Sequence, residues 1–362
     1  MPLIICCYTK GEIFSFLSGT NHIYPLEKDQ YQKDVKVMAV KTTPEYVDLL
    51  NEAVARELQV SIQYMLQHTK LEKLMRKVIP ENILLDKTTY EAVGKFLKEI
   101  SIQEMKHAAA IMERIYHLGG QATTKAKKPI IGDSLSEFAK LGVEAEEDAL
   151  TLYRRLIDES RKAGDYETHE LFEKIYGEEE GHLFKFQEYV KIRDEPEGDA
   201  GETSEWRKIF NDDYFTLLNK AVASEISAIV QYTNQHEKAA LLSLRMKETP
   251  LEVITEKNKT KAISDLLKGV FMQEMGHLEK ISERIYLLEG EATVIPDPLP
   301  KVGDTADDFL RLDHKAENDA IVLYRKIIEE ALKRGDTLTR RMFEDIVLQE
   351  EEHYWKFDDF IR

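Results

Sequence analysis

The sequence predicts an all-α protein made of two tandem four-helix bundles joined by an acidic linker. Three observations support this fold class. Apolar residues recur at steps of three and four along four stretches of each half, the period of a helix with one buried face. The two halves repeat each other at a nearly constant offset. The motif Glu-x-x-His occurs four times, as two pairs, one pair in each half.

The repeat can be read directly from the residues. EISAIVQY (225–232) matches ELQVSIQY (57–64) at an offset of 168 residues. EEEHYWKF (350–357) matches EEGHLFKF (179–186) at an offset of 171 residues. The small drift in offset falls between the matching segments, where loops are expected. A duplicated domain follows from this pattern.

The chain divides into four parts. Residues 1–42 form an N-terminal extension that shows no helical period and whose role the sequence leaves open. The first domain spans 43–193 and begins at Thr43-Pro44-Glu45, which is typical of a helix start because Thr caps, Pro suits the first turn and acid favours the positive dipole end. Residues 194–205 are acidic and contain Gly and Pro, which predicts a linker. The second domain spans 206–362.

Six glutamates and histidines in each half interrupt the apolar stripes at positions where a hydrophobic residue is expected. A buried carboxylate costs several kcal/mol unless it is paired or coordinated, so these positions predict bound cations. A solvated helix face is the alternative for a single Glu-x-x-His, but four copies on apolar stripes argue against it. The candidate metal ligands are Glu57, Glu104, His107, Glu146, Glu179, His182, Glu225, Glu274, His277, Glu317, Glu350 and His353.

The ligand types indicate the metal. Four carboxylates and two imidazoles per half give a hard shell with four negative charges, suited to two ions of iron or manganese. Zinc could bind but has no redox chemistry to contribute. Comparison of the halves also removes a competitor in the fourth helix: Glu178 corresponds to Gln349, whereas Glu179 corresponds to another glutamate.

Tyrosines repeat on the same helical faces. Tyr64 and Tyr232 follow the first-helix glutamates by seven residues, about two turns, and Tyr153 and Tyr324 follow the third-helix glutamates by the same spacing. We expect a phenol near each metal pair. Tyr64 and Tyr232 are the candidate catalytic residues, able to relay an electron or to donate a hydrogen bond, and a buried phenol with a satisfied hydroxyl is the alternative.

Composition excludes several classes. The net charge of -17, without a sustained basic stripe, argues against nucleic-acid binding. No apolar run approaches the roughly 20 residues of a membrane span. The two cysteines, Cys6 and Cys7, cannot build a disulfide framework, which favours a reducing compartment, and we expect a cytoplasmic protein.

At these motifs both halves resemble the bacterioferritin branch of the ferritin-like family. The resemblance rests on ELQVSIQY and EISAIVQY in the first helix, QEMKHA and QEMGHL in the second, and GEEEGH and QEEEH in the fourth. It implies two ferritin-like bundles, each with a di-iron ferroxidase centre whose ligands are the twelve residues named above. It further implies oxidation of Fe(II) by O2 or H2O2, iron detoxification with storage as an additional role, and a homo-oligomer.

The same resemblance implies a haem site. Bacterioferritins bind haem b between two subunits through a Met directly after the second-helix Glu, a position occupied here by Met105 and Met275. Packing of these thioethers at an interface is the alternative.

The sequence also departs from the family. Neither half shows a fifth short helix, and the connection between the first two helices is extended near 72–90 and 240–262. These departures put a storage shell in doubt. The alternative function is a peroxide reductase or dimanganese catalase of the same fold without storage, although no Cys-x-x-Cys pairs exist to build a rubredoxin-type iron site.

Overall fold

The computed structural model describes residues 4–9, 12–17, 24–25, 40, 42–75, 83–191, 210–246 and 251–361. The predicted linker, 194–205, lies outside these residues, so its boundaries stay predictions. Among the described residues, no helix combines the length and the apolar character that crossing a bilayer requires.

Eight helices and three short strands account for most of the described chain. The strands are β1 (Ile4–Thr9), β2 (Glu12–Leu17) and β3 (Tyr24–Pro25). The helices are α1 (Pro44–Met75), α2 (Ile83–His117), α3 (Leu135–Ala163), α4 (Tyr166–Tyr189), α5 (Asp212–Arg245), α6 (Leu251–Leu287), α7 (Ala306–Arg334) and α8 (Thr337–Ile361). The strands pair antiparallel in the order β1-β2-β3 within the extension that lacked a helical period. The predicted pair of four-helix bundles is confirmed.

The helix ends follow their sequence signals. Helix α1 begins at Pro44 as predicted, and the Tyr46 amide donates to Thr43 Oγ1 at 3.3 Å. Helices α3 and α7 end at Gly164 and Gly335, whose φ angles of 72° and 70° lie in the left-handed region that glycine adopts without strain. These short turns fold α4 back along α3 and α8 back along α7.

Each bundle contains two helical hairpins joined by a long crossover. In the first, α1 packs on α2 and α3 packs on α4, and residues 118–134 connect the hairpins. The crossover is tied to the bundle where the Lys127 amide donates to the Ala55 carbonyl oxygen at 3.0 Å. The second bundle repeats this bond between the Asp297 amide and the Ala223 carbonyl oxygen, at 3.2 Å. One crossover between two hairpins is the topology of ferritin-like bundles.

The extensions predicted near 72–90 and 240–262 are largely helical. Helix α1 continues to Met75 and α2 starts at Ile83, and in the second half α5 and α6 leave only 246–250 between them. Residues 76–82 and 247–250 lie outside the described residues. The additional sequence therefore lengthens the first helical hairpin of each bundle.

The two bundles pack against each other through their first hairpins, with α1 on α6 and α2 on α5. Polar contacts stabilise this interface between the two bundles. Glu279 accepts from Lys98 Nζ at 2.7 Å and lies 3.2 Å from His68 Nε2, and these partners lower the pKa of Glu279 to about 2. The Tyr116 hydroxyl donates to Asn234 Oδ1 across the same interface. One hydrophobic cluster thus extends through both duplicated domains.

A close approach between α3 and α4 offers a stability test. A Cβ added at Gly142 would lie 2.4 Å from the Phe186 ring, whereas a Cβ at Gly177 on α4 would meet nothing within 4 Å. We predict that Gly142→Ala lowers the free energy of unfolding by about 1–3 kcal/mol through overpacking. Gly177→Ala is the matched control and should be neutral or stabilising, because alanine favours helix more than glycine does. Chemical denaturation of both variants measures this, and equal stability would contradict the predicted clash.

Candidate metal centres

The structure brings together all twelve predicted ligands, six in each bundle. Helices α1 and α3 each supply one glutamate, while α2 and α4 each supply a glutamate and a histidine. All twelve side chains are buried, with relative exposures of 7% or less. Centre 1 consists of Glu57, Glu104, His107, Glu146, Glu179 and His182. Centre 2 consists of Glu225, Glu274, His277, Glu317, Glu350 and His353.

Each centre resolves into two overlapping groups, in which one candidate ligand atom from every residue lies within 4.8 Å of the others. Centre 1 contains the groups Glu57, Glu104, His107, Glu179 and Glu104, Glu146, Glu179, His182. Centre 2 contains the groups Glu225, Glu274, His277, Glu350 and Glu274, Glu317, Glu350, His353. Two glutamates belong to both groups, as carboxylates that bridge two ions must. The other glutamates, from α1 and α3 and their counterparts α5 and α7, each belong to one group, as terminal ligands would.

The distances in centre 1 show how the shared glutamates face both histidines. His107 Nδ1 lies 2.9 Å from Glu104 Oε2 and 3.2 Å from Glu179 Oε1. His182 Nδ1 lies 3.0 Å from Glu104 Oε1 and 2.9 Å from Glu179 Oε2. Each shared carboxylate therefore offers one oxygen to each side of the centre, and the imidazole centroids stand 6.3 Å apart.

Centre 2 repeats this arrangement closely. His277 Nδ1 lies 2.8 Å from Glu274 Oε2 and 3.0 Å from Glu350 Oε1. His353 Nδ1 lies 3.1 Å from Glu274 Oε1 and 3.2 Å from Glu350 Oε2, with the imidazole centroids 6.2 Å apart. The sequence duplication has preserved the donor geometry as well as the donor types.

Burial and charge indicate that cations belong in these centres. Neither carboxylate oxygen of Glu57 has a hydrogen-bond partner among the described residues. Burial, followed by the charges of Glu179 and Glu104, raises the pKa of Glu57 well above its usual value, and burial, followed by the charges of Glu274 and Glu350, likewise raises the pKa of Glu225. Several carboxylates thus converge in a dry interior, and some of their oxygens have no hydrogen-bond partner among the described residues. Such a set suits the coordination of metal ions that prefer oxygen ligands.

The shared glutamates favour the protonated form of the histidines. Burial alone would lower the pKa of each imidazole, but hydrogen bonds with the shared glutamates raise the pKa of His107 and His277 to about 12. The pKa of His182 rises to about 10 and that of His353 to about 9 for the same reasons. Because an imidazole ligand must be neutral, metal binding at either centre must displace protons.

Residues beside the motif orient the histidines. Glu178 Oε2 lies 2.6 Å from His107 Nε2, and the equivalent Gln349 Oε1 lies 3.3 Å from His277 Nε2. The sequence comparison that ranked Glu178 behind Glu179 as a ligand agrees with the structure, since Glu178 belongs to neither metal group. Its contact leaves Nδ1 directed at the shared glutamates, as partners of metal-binding histidines commonly do.

Three tyrosines donate to the terminal glutamates. The Tyr64 hydroxyl donates to Glu146 Oε1, and the Tyr232 hydroxyl donates to Glu317 Oε1 at 2.6 Å. The Tyr324 hydroxyl donates to Glu225 Oε1. Burial raises the pKa of all three phenols well above 10, so they remain proton donors. The expectation of a phenol near each metal pair is met, whereas the catalytic role of Tyr64 and Tyr232 stays a prediction.

Arg56 is a residue of centre 1 that the sequence reasoning missed. Its side chain is 4% exposed, its Nη2 donates to Glu146 Oε2 at 3.0 Å, and its Nη1 lies 3.6 Å from Glu57 Oε1. Burial alone would lower the pKa of Arg56, but the charges of these carboxylates raise it above its usual value. Alignment of the two halves holds the signal that could have found it, because the residue before the first-helix glutamate is Arg56 in one half and Ser224 in the other.

Met105 and Met275 lie in the core that the two bundles share, 1% and 4% exposed. The Thr233 hydroxyl donates to Met105 Sδ at 3.7 Å, from the opposite bundle. The surroundings of both thioethers fit the packing interpretation. Haem b at this interface stays a prediction of the resemblance, which a Soret band in the purified protein would test.

Comparison with known proteins agrees with this geometry. A family model for the ferritin-like domain matches residues 47–194 and 252–362, more than half of the chain. The chain belongs to the ferritin-like family. The matched segments cover every ligand except Glu225, which lies on α5 in the unmatched interval. Two matching segments in one chain agree with the tandem duplication.

The similar proteins place the chain on the bacterioferritin branch. It is 32% identical over 142 residues to the bacterioferritin of Desulfovibrio desulfuricans, covering 39% of this chain and 72% of that protein. It is also 32% identical over 139 residues to the bacterioferritin of Rhodobacter capsulatus, covering 38% of this chain and 75% of that protein. Each alignment thus has about the length of one bundle.

Solved structures of the same two bacterioferritins were also matched. The Desulfovibrio desulfuricans structure, which concerns the di-iron site in different catalytic states, aligns with a TM-score of 0.36 at 26% identity, covering 44% of this chain and 83% of that one. The Rhodobacter capsulatus structure, with a metal-free dinuclear site and haem iron, aligns with a TM-score of 0.34 at 28% identity, covering 42% and 84%.

Metal binding should stabilise the fold. Ions that bind only the folded chain shift the unfolding equilibrium by about 2.7 kcal/mol at a free concentration of 100 times the dissociation constant. We predict that Co(II) raises the unfolding temperature of chelator-treated protein, measured by differential scanning calorimetry with and without the ion. Removal of a bridging carboxylate from each centre, as Glu104→Ala with Glu274→Ala, should abolish most of the increase. An equal increase in that variant would place the stabilising ions elsewhere.

Proposed function

We propose that the chain is a ferroxidase that binds two Fe(II) ions in each bundle and oxidises them with O2 or H2O2, thereby detoxifying ferrous iron. The observation that carries the proposal is the overlap of two four-residue metal groups on a shared pair of glutamates in both centres. This overlap holds two ions close together, as a two-electron reaction with a single oxidant molecule requires. Membership in the ferritin-like family favours iron as the metal.

The donor set explains how one site could hold iron before and after oxidation. Four carboxylates and two imidazoles present hard ligands with four negative charges, which stabilise both ferrous and ferric iron. Bound iron supplies the electrons, and the residues of the chain supply position, charge and exclusion of bulk water. Each shared glutamate would offer one oxygen to each ion, so the opposed helices α2 and α4, or α6 and α8, would hold two ions side by side.

The outer residues control protons and ligand orientation. Glu178 and Gln349 fix the imidazoles of His107 and His277 from the Nε2 side. The Tyr232 hydroxyl keeps one oxygen of Glu317 engaged, leaving the other, which lies 3.8 Å from His353 Nδ1, to face the ions. We assign Tyr64 and Tyr232 this positioning role first, with electron donation to a bound oxidant as a further role.

Removal of a bridging ligand from each bundle tests the proposal. Glu104→Ala with Glu274→Ala should abolish rapid Fe(II) oxidation, because each variant centre loses a carboxylate that both of its ions share. Stopped-flow absorbance of the ferric product, together with oxygen or peroxide consumption, measures the rate and identifies the oxidant. Circular dichroism should show the helices intact.

Glu99→Ala with Glu256→Ala provides a matched control. These glutamates lie on α2 and α6 as well, but their side chains are exposed. This control should oxidise iron at the wild-type rate. Full activity in the Glu104→Ala, Glu274→Ala protein would refute the assignment of the centres.

Storage requires more than the ferroxidase centres. In a storage role, homo-oligomers of the tandem chain would form a closed shell that retains the ferric product. Size-exclusion chromatography with light scattering separates such a shell from a monomer or small oligomer. A small oligomer would restrict the proposed function to detoxification.

A further inference from the structure

We infer that the two centres differ in how they take up metal: centre 2 binds divalent cations through an open route, whereas Arg56 closes centre 1 and competes with cations for its terminal glutamates. The inference rests on the proposed metal-binding function and assigns Arg56 and Ser224 as the residues that separate the two centres. It follows from a cavity present at one centre, from its obstruction at the other, and from the charge of the obstructing group.

Centre 2 is connected to the surface. A cavity of about 60 Å³ is lined by four of its carboxylates, Glu225, Glu274, Glu317 and Glu350. The same cavity is lined by the exposed residues Pro298 and Asp319, so it leads from solvent to the metal-binding oxygens. Its walls along α5 are small, formed by Ser224, Ser227 and Ala228. A hydrated divalent ion or a small oxidant could reach the centre along this route.

The equivalent surface depression of bundle 1 does not reach the carboxylates of centre 1. A depression there is lined by Arg56, Gln59, Val60 and Asp148 and touches none of the six residues of centre 1. The small wall residues that α5 contributes to the open route are replaced by larger ones on α1. Ser224 corresponds to Arg56, Ser227 to Gln59 and Ala228 to Val60, all at the offset of 168 residues. Arg56 therefore stands between solvent and centre 1.

The obstructing group is also a counterion. Arg56 Nη2 donates to Glu146 Oε2 at 3.0 Å, and Nη1 lies 3.4 Å from the Tyr153 hydroxyl and 3.6 Å from Glu57 Oε1. Its two carboxylate partners are the terminal glutamates of the two metal groups. A cation entering either group must therefore compete with a buried guanidinium whose attraction to the carboxylates is screened less than it would be in water.

The hydrogen bonds of the tyrosines also differ between the two centres. In centre 2 the Tyr324 hydroxyl donates to Glu225 Oε1, the terminal glutamate from α5. The equivalent Tyr153 in centre 1 instead accepts from Arg56, and Glu57 has no hydrogen-bond donor within the described part of the chain. The guanidinium thus takes the place of a phenol–carboxylate contact. The asymmetry extends through the hydrogen bonds of the terminal ligands and is not confined to the surface.

A reciprocal exchange of the two residues tests the inference by metal binding, without turnover. Metal-free protein is titrated anaerobically with Co(II), with isothermal calorimetry and the visible absorbance of bound Co(II) as readouts. In wild type we expect two ions per chain to bind tightly and two more to bind at least about tenfold more weakly, a difference of about 1.4 kcal/mol. Arg56→Ser should give four ions of similar affinity. Ser224→Arg should eliminate the tight pair.

Two further measurements serve as controls for the titration. Arg155→Ser, an exposed arginine on the same depression that does not contact the ligands, is the charge-matched control and should leave the titration unchanged. Anomalous scattering from crystals with substoichiometric Co(II) should place the first two ions in centre 2. The Ser224→Arg variant leaves centre 1 untouched, so it remains informative if Arg56→Ser fails to fold.

The outcomes separate this inference from the proposed function. Four equivalent Co(II) sites in wild type, with no effect of either exchange, would overturn the inference and leave the ferroxidase proposal intact. First occupancy of centre 1 in the anomalous map would also overturn it. A wild-type chain that binds no Co(II) would overturn both.

Discussion

The constraint on which this molecule depends is the neutralisation of four glutamates buried at the middle of each bundle. The apolar stripes of the helices bring these carboxylates together, because each takes a core position in its own helix. Repulsion between them, together with their loss of hydration, would oppose packing. Two histidines per centre can offset part of the charge by holding protons. Metal ions can replace those protons, so that folding, proton release and metal binding become linked equilibria.

Helix geometry then determines which carboxylates can be shared. Helices α2 and α4 carry their glutamate and histidine one turn apart, so that both side chains face the same direction. Glu104 and Glu179 consequently meet across the bundle, each between the two imidazoles. Glu57 and Glu146 arrive from helices in which no histidine follows the glutamate by one turn, and each belongs to only one metal group. The division into bridging and terminal ligands is thus a consequence of which helices carry the pair.

The sequence predicted the candidate ligands, which the structure brings together, because these residues violate a strong pattern. A glutamate such as Glu146 on an otherwise apolar stripe is detectable without coordinates, and the internal repeat singles it out through its counterpart Glu317. The start of α1 at Pro44 was predictable from local capping chemistry. The direction in which a long side chain points was not predictable in this way. Whether Arg56 points outward or inward depends on the packing of α1 against α3, which no local signal reports, and the lengthening of α1 and α2 likewise depends on tertiary contacts.

Because the domain is duplicated, the chain neutralises its buried carboxylates in two different ways. In centre 1, part of the countercharge is attached to the protein through Arg56, which reaches both terminal glutamates. In centre 2, Ser224 supplies no charge, and the cavity beside it is the route by which ions from solution would enter. A fixed guanidinium stabilises the empty bundle at all times, whereas a diffusible cation stabilises it only when present. A tandem chain can therefore combine a bundle that keeps its core neutralised in the absence of metal with a bundle that responds to metal, a division that two identical copies could not achieve.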